Sequence, residues 1–179
     1  MVAENASLSA YTVLVLLFGC ERLWELVLSR RHMRWARLRG GVEFGAGHYP
    51  YLAAAHVSLF AGSLLEPWLL RRPFVPALGW PMLALALGAQ ALRWWCIATL
   101  GHRWNVRVVV IRGLPLVRRG PYRWLSHPNY LAVLVEGFAL PLVHTAWLTA
   151  LGFTLVNLAV LGVRIKVEER ALRWAVEGG

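Results

Sequence analysis

Aspartate is absent from the 179-residue sequence and lysine occurs once, at Lys166, so arginine carries nearly all of the positive charge. Cysteine is scarce as well. Cys20 and Cys96 both lie in apolar stretches, which argues against a disulfide framework and leaves two packing residues. The histidines at 32, 48, 56, 102, 127 and 144 show neither H-E-x-x-H spacing nor a cysteine partner, so no metal site is expected. His56 and His144 read as packing or interfacial residues. No G-x-G-x-x-G follows a strand, which removes the phosphate cradle that a nicotinamide-dependent membrane reductase would need. The first ten residues lack a basic n-region, so the first hydrophobic run is expected to persist as a helix rather than be cleaved as a signal. There is no internal repeat and no low-complexity tract.

What is abundant is apolar. Hydrophobic residues make up 58% of the chain and mean hydropathy is +0.52, too high for an ordinary soluble fold. Ten tryptophans agree, because indole favours the membrane interface. The formal charge of +10 could suggest a nucleic-acid partner, but here the cations flank hydrophobic spans. That pattern points to topology and to anionic membrane lipids, with no nucleic acid.

A spanning helix needs roughly 20 mostly apolar residues. Stretches 10–28, 49–70 and 76–100 qualify, and 130–165 is long enough for two more, with Pro141 and His144 marking a tight helical hairpin. The expected fold is therefore an all-α polytopic membrane protein of about five helices, one domain over residues 1–179. Arginines cluster at 30–39, 103–123 and 164–173, all on one side if the spans alternate. Positive charge is retained in the cytoplasm, so the N-terminus is expected outside and the C-terminus inside, in the cell inner membrane. The loop 101–129 alternates Val and Ile with Arg and is expected to form a short hairpin turned by Gly113 and Pro115. The tail from Val167 is expected to be a short amphipathic helix at the interface, burying Leu172, Trp174 and Val176.

Polar residues in apolar helices need a partner or a purpose. Glu21, Arg22 and Glu25 lie near the end of helix one, Glu66 ends helix two, Arg93 sits two turns before the loop, and Glu136 lies in the hairpin. Either Glu21 or Glu25 pairs with Arg93 to hold helices together, or one of them lines a substrate site. The densest constellation runs from Arg119 to Tyr130 and includes His127, Pro128 and Asn129. Pro128 suits a first helical turn and Ser126 can cap it, which makes an anion-attracting helix start. The hairpin should return Arg164, Glu168 and Glu169 to the same face. His127, Tyr130, Arg123 and Glu168 are the residue types that a ribose, an amino-acid carboxylate and a sulfonium call for. Each also has a plainer role, as interfacial anchor, lipid contact or solvated charge.

These residues resemble the isoprenylcysteine carboxyl methyltransferase family of integral membrane methyltransferases. The family pattern G-x-Y-x-x-x-R-H-P-x-Y, a helical hairpin and R-x-x-x-E-E is matched by Gly120, Tyr122, His127, Pro128, Tyr130, Arg164, Glu168 and Glu169, within a catalytic core at 78–174. One position departs from it, because Ser126 stands where the family has arginine, and Arg123 is the nearest substitute. The stretch Leu100 to Asn105 also resembles the family's loop. The resemblance implies S-adenosylmethionine in a pocket at the cytoplasmic face. It would be held by Gly120, Tyr122, Arg123, His127, Pro128, Tyr130, Glu168 and Glu169, with Arg164, Arg103 and Glu168 nearest the chemistry. Substrate contacts fall to Glu25, Arg93, Trp104 and Glu136. Glu21-Arg-Leu-Trp-Glu25, Ser29-Arg-Arg and the stretch Gly41 to Pro50 are similar to a bacterial branch associated with type III polyketide synthases. That likeness implies a lipophilic acceptor such as the ring hydroxyl of a long-chain alkylpyrone or alkylresorcinol, with a polyketide synthase upstream. The alternatives are a prenylcysteine carboxyl methyltransferase and a non-catalytic membrane scaffold or lipid carrier.

Overall fold

The structure, a computed structural model, describes residues 2–177. Among these residues the order is α1 (Val2–Arg37), β1 (Val42–Phe44), α2 (Tyr49–Leu69), α3 (Pro76–Leu100), β2 (Val108–Val110), α4 (Pro128–Leu142) and α5 (Trp147–Glu177). Apart from the ribbon of three-residue strands, the architecture is helical. Helices α2, α3 and α5 are long and apolar enough to cross a membrane, and only 33%, 28% and 28% of their apolar windows is buried inside the protein. The remainder faces outward, as in Leu65, Leu87 and Leu155, and such a surface requires lipid. This is an integral membrane protein. The other two helices fall short of that standard for different reasons. Helix α1 carries Glu21, Arg22 and Glu25 within its apolar run, and α4 has 15 residues, about 22 Å of rise.

Helix α4 is enclosed by its neighbours, with ten of its 15 residues buried. It packs most extensively on α3 and next on α5. Gly137 makes the second contact possible, because a Cβ there would collide with the Phe153 ring. One core cluster joins Tyr11, Val15 and Phe18 of α1 to Ala86 of α3 and Ala139 and Leu140 of α4. A second joins Ala55 and Leu59 of α2 to Val133 and Phe153. Both end on the α4–α5 hairpin, which is present as expected. The chain reverses at Thr145, in the left-handed region at φ 52°. Its hydroxyl donates to the Pro73 carbonyl at 2.7 Å, which ties the reversal to the start of α3.

Three expectations need correction. Helix one does not stop at Leu28 but runs to Arg37, because no breaker intervenes before Gly40. There the Gly40 N–H bonds the Arg37 carbonyl (3.2 Å) and the Gly41 N–H the Ala36 carbonyl (2.8 Å), with Gly40 at φ 73°, a Schellman stop. The loop does form a strand at Val108–Val110, but its partner is Val42–Phe44 from the α1–α2 connection, antiparallel, with Glu43 opposite Val109. The ion pair Arg107–Glu43 (2.8 Å) holds that register, a long-range contact that local alternation could not reveal. The C-terminal segment is not a separate interfacial helix. It continues α5, whose 31 residues rise about 46 Å, well beyond a hydrocarbon core of roughly 30 Å. Ala171 and Ala175 are buried, and Trp174 packs on Phe44 and under Arg112.

Glu66 has a larger role than ending a helix. Its carboxylate accepts the Thr149 N–H and hydroxyl, both at 2.8 Å, and the Leu148 N–H at 3.2 Å, so it caps α5 from another helix. Arg72 completes the set at 3.0 Å. Free N–H groups at a buried helix start are costly beside lipid. Glu66→Ala should lower stability by about 2 kcal/mol, read as a fall in melting temperature in detergent, and Glu66→Gln by less because one acceptor oxygen remains.

Candidate active site

The two polar clusters at the ends of the hairpin meet. Pro128 occupies the first turn of α4, as its fixed φ favours. The cap position belongs to His127, without a side-chain cap, so the expected capping by Ser126 is not made and Ser126 faces a cavity instead. The Tyr130 hydroxyl donates to Glu168 and accepts from Arg164 Nε at 2.9 Å. The Arg164 guanidinium lies 5.4 Å from the Tyr130 ring centroid, and its Nη2 donates to the Val106 carbonyl at 2.5 Å. His127 stacks on Tyr130 with centroids 5.4 Å apart. Its Nδ1 and Nε2 each lie 3.9 Å from a carboxylate oxygen, of Glu168 and Glu169 respectively.

Two cavities flank this junction. The first, about 170 Å³, lies among the loop, β2 and the end of α5, and its lining includes Arg103, Tyr122, His127 and Glu168. Arg103 donates to the Pro115 carbonyl at 2.6 Å, holding the loop closed over it. Burial beside Cys96 pushes the Tyr122 hydroxyl well above its ordinary pKa, so it stays a neutral donor. The second cavity, about 230 Å³, runs between α1, α2, α4 and α5 and is mostly apolar, with Leu23, Val57, Phe60, Val133 and Leu161 in its walls. Trp104, Asn105, Asn129, Tyr130 and Arg164 line both. Three of these shared residues carry a buried polar atom without a protein partner: Trp104 Nε1, Asn129 Oδ1 and Arg164 Nη1. Such atoms are costly unless something binds them.

Residues 82–174, more than half of the chain, match the isoprenylcysteine carboxyl methyltransferase (ICMT) family. The chain belongs to that family. It is 33% identical over 164 residues to the uncharacterised protein YpbQ of Bacillus subtilis, covering 91% of this chain and 96% of the relative. An uncharacterised protein of Haemophilus influenzae is 29% identical over 154 residues, covering 84% and 88%. ICMT proteins are membrane methyltransferases that use S-adenosylmethionine, and this chain is a membrane methyltransferase on that footing.

The ICMT motif residues do not all reach the cavities. Tyr122, His127, Tyr130, Arg164 and Glu168 line the first, together with Arg103 and Trp104. Gly120, Arg123, Pro128 and Glu169 do not. Gly120 has φ 55° and packs so closely on Thr99 that a Cβ would come within 2.5 Å of its hydroxyl, so it shapes the turn that presents Tyr122. Arg123 lies over Trp124, 6.0 Å from its ring, which leaves it apart from the place an arginine at 126 would fill. Glu25 and Arg93 line the second cavity and also pair with each other, Arg93 Nε and Nη2 each 2.6 Å from a carboxylate oxygen. Glu25 therefore makes the expected pairing with Arg93 and also faces a cavity. Arg22 joins Glu25 (2.6 Å), Glu136 (2.7 Å) and Gln90 (2.8 Å), and Gln90 in turn holds Glu21. Glu136 lines neither cavity and is held by Arg22.

Ser29, Asn105 and Asn129 take on roles that the sequence does not signal. The Ser29 hydroxyl donates to Asn105 Oδ1 at 2.7 Å and accepts the Val106 N–H at 3.1 Å, and Val106 is the residue whose carbonyl anchors Arg164. Ser29 on α1 thus fixes Arg164 on α5 through one loop residue. His32 adds a contact to the Trp104 carbonyl at 2.8 Å, and burial lowers its pKa, which favours the neutral ring. No local pattern marks Ser29, since its partners lie more than 70 residues away. Ser29→Ala should reduce kcat about tenfold while cofactor affinity stays within twofold of wild type, and Ser29→Thr should restore most of the loss. Single-turnover kinetics alongside a cofactor titration check this.

Proposed function

We propose that this protein is an S-adenosylmethionine-dependent O-methyltransferase for a lipophilic acceptor, with the cofactor in the first cavity and the acceptor in the second. The observation that carries this is the shared wall. A cavity near the loop that carries the more polar lining and a mostly apolar cavity among the helices meet at Trp104, Asn129, Tyr130 and Arg164, where orphaned donors and an acceptor await ligand atoms.

The residues fit the cofactor chemically. Glu168 suits ribose hydroxyls, Arg103 a carboxylate, and the His127–Tyr130 stack an aromatic or sulfonium face. When bound, the cofactor supplies an electrophilic methyl group with a good leaving group, so the protein's task is alignment and exclusion of water. Arg164 holds the acceptor oxygen in its ionised form through Nη1 while Nε and Nη2 stay fixed by Tyr130 and Val106. Trp104 Nε1 offers a second donor beside it. No dedicated base is needed for a hydroxypyrone or a carboxylate, which arrive ionised.

The preferred acceptor is the ring hydroxyl of a long-chain alkylpyrone or alkylresorcinol, supplied by a polyketide synthase. A prenylcysteine carboxylate is the second reading, favoured by the family match itself. Five spans in the cell inner membrane, with the N-terminus outside and the cavities at the cytoplasmic face, agree with the clustering of arginine at 30–39, 103–123 and 164–173.

Purified protein in nanodiscs, given labelled S-adenosylmethionine and either a 5-alkylresorcinol, an alkylpyrone or acetylated farnesylcysteine, should label a ring hydroxyl in preference to the carboxylate. A scaffold or lipid carrier would label none and show no thermal shift with S-adenosylhomocysteine. Glu168→Gln should weaken S-adenosylhomocysteine binding about tenfold, and unchanged affinity and turnover would contradict its role. Arg164→Lys, which cannot keep three directed N–H groups, should cut kcat on the order of 100-fold with a smaller change in cofactor affinity.

A further inference from the structure

Building on the acceptor reading above, we propose that the second cavity holds a distinct recognition point, formed by Arg93 and His56, for an uncharged group that both donates and accepts a hydrogen bond. A hydroxyl or a secondary amide satisfies it. The acceptor is then an amphiphile with two polar points, the reacting oxygen at the shared wall and a second group at Arg93 and His56, followed by its hydrocarbon tail.

Arg93 supplies the donor. Its side chain is 7% exposed, its Nε and Nη2 are both taken by Glu25, and its Nη1 has no partner in the protein. It lines the second cavity and not the first. A buried N–H left over in a mostly apolar cavity is costly, and a ligand oxygen removes that cost.

His56 supplies the acceptor. Its Nδ1 is 2.8 Å from the Leu52 carbonyl, which can only accept, so Nδ1 carries the proton and Nε2 of the neutral ring keeps a lone pair. His56 also lines only the second cavity, and Phe153 meets its ring edge-on at 5.6 Å, which fixes its plane.

The charge balance decides against an anion. Arg22 and Arg93 are opposed by Glu25 and Glu136, and Glu21 stands next on Gln90, so the cluster has no surplus positive charge. A carboxylate or phosphate at Arg93 Nη1 would meet those carboxylates as like charges. An uncharged group meets no such penalty. This separates the point from Arg164, whose partner Glu168 is reached through Tyr130.

The test uses matched acceptors that differ only in the second group, in nanodiscs with S-adenosylmethionine: 5-alkylresorcinol against 3-alkylphenol, and acetylated farnesylcysteine against S-farnesylthiopropionate. Whichever pair is methylated, the member with the second group should show kcat/KM at least about tenfold higher, carried mainly by KM, and tighter equilibrium binding in the absence of S-adenosylmethionine. Arg93→Lys, which keeps the charge facing Glu25 but loses Nη1, should erase the preference, and so should the charge-neutral double variant Glu25→Gln with Arg93→Gln. His56→Phe should reduce it. Equal kcat/KM for both members in the wild-type protein overturns the recognition point while leaving the methyltransferase reading intact. Failure to methylate any of the four compounds overturns the acceptor reading, and the recognition point with it.

Discussion

Arg164 is the one residue to which most of the structure answers. A guanidinium buried beside lipid must have its hydrogens met, and two of its nitrogens are met by Tyr130 and Val106. Those partners come from α4 and from the loop, and the loop carbonyl is in turn fixed by Ser29 on α1. One cation therefore makes three separate regions converge. Its remaining nitrogen, Nη1, stays unpartnered at the wall between two cavities, which is where an acceptor oxygen would need it.

The rest of the fold serves that convergence by geometry. Helix α5 is longer than a bilayer core requires, and the turns beyond Arg164 carry Glu168 and Ala175 up against β2 and the loop. Glu66 secures its far end by accepting the first N–H groups, so the helix is anchored at both extremities by polar contacts in different settings. Between them, small residues on α4 allow α3 and α5 to approach, and Gly137 under Phe153 is the tightest point. The buried network of Glu25, Arg93, Arg22 and Glu136 ties α1, α3 and α4 at the level of the second cavity. It joins helices and furnishes a polar patch in an apolar wall at once.

Helix positions were legible where hydrophobic length alone decides them. Helices α2 and α3 begin and end within a residue of the apolar runs at 49–70 and 76–100, and the hairpin falls where Pro141 and His144 indicate. That His127 and Tyr130 meet Arg164 and Glu168 was legible too, because a hairpin must return its ends together. The reach of α1 to Arg37 was not, since a helix that passes from apolar into polar sequence shows no break in propensity until Gly40. The pairing of β1 with β2 was hidden for another reason: a three-residue strand carries no signal about which distant strand it will meet.

By itself, then, the amino-acid sequence determined that this is a membrane-embedded helical protein with arginine clustered between its apolar runs and a polar cluster at each end of a C-terminal hairpin. Composition and hydrophobic length suffice for that, because both are local quantities. Tertiary structure alone decided which polar atoms remain unsatisfied, that Gly120, Arg123 and Glu169 stand back from the cavities, that His56 lines one of them, and that Ser29 reaches them through Asn105 and Val106. Those facts depend on contacts between residues far apart in the chain, and a side chain's partners are fixed only once the helices have packed.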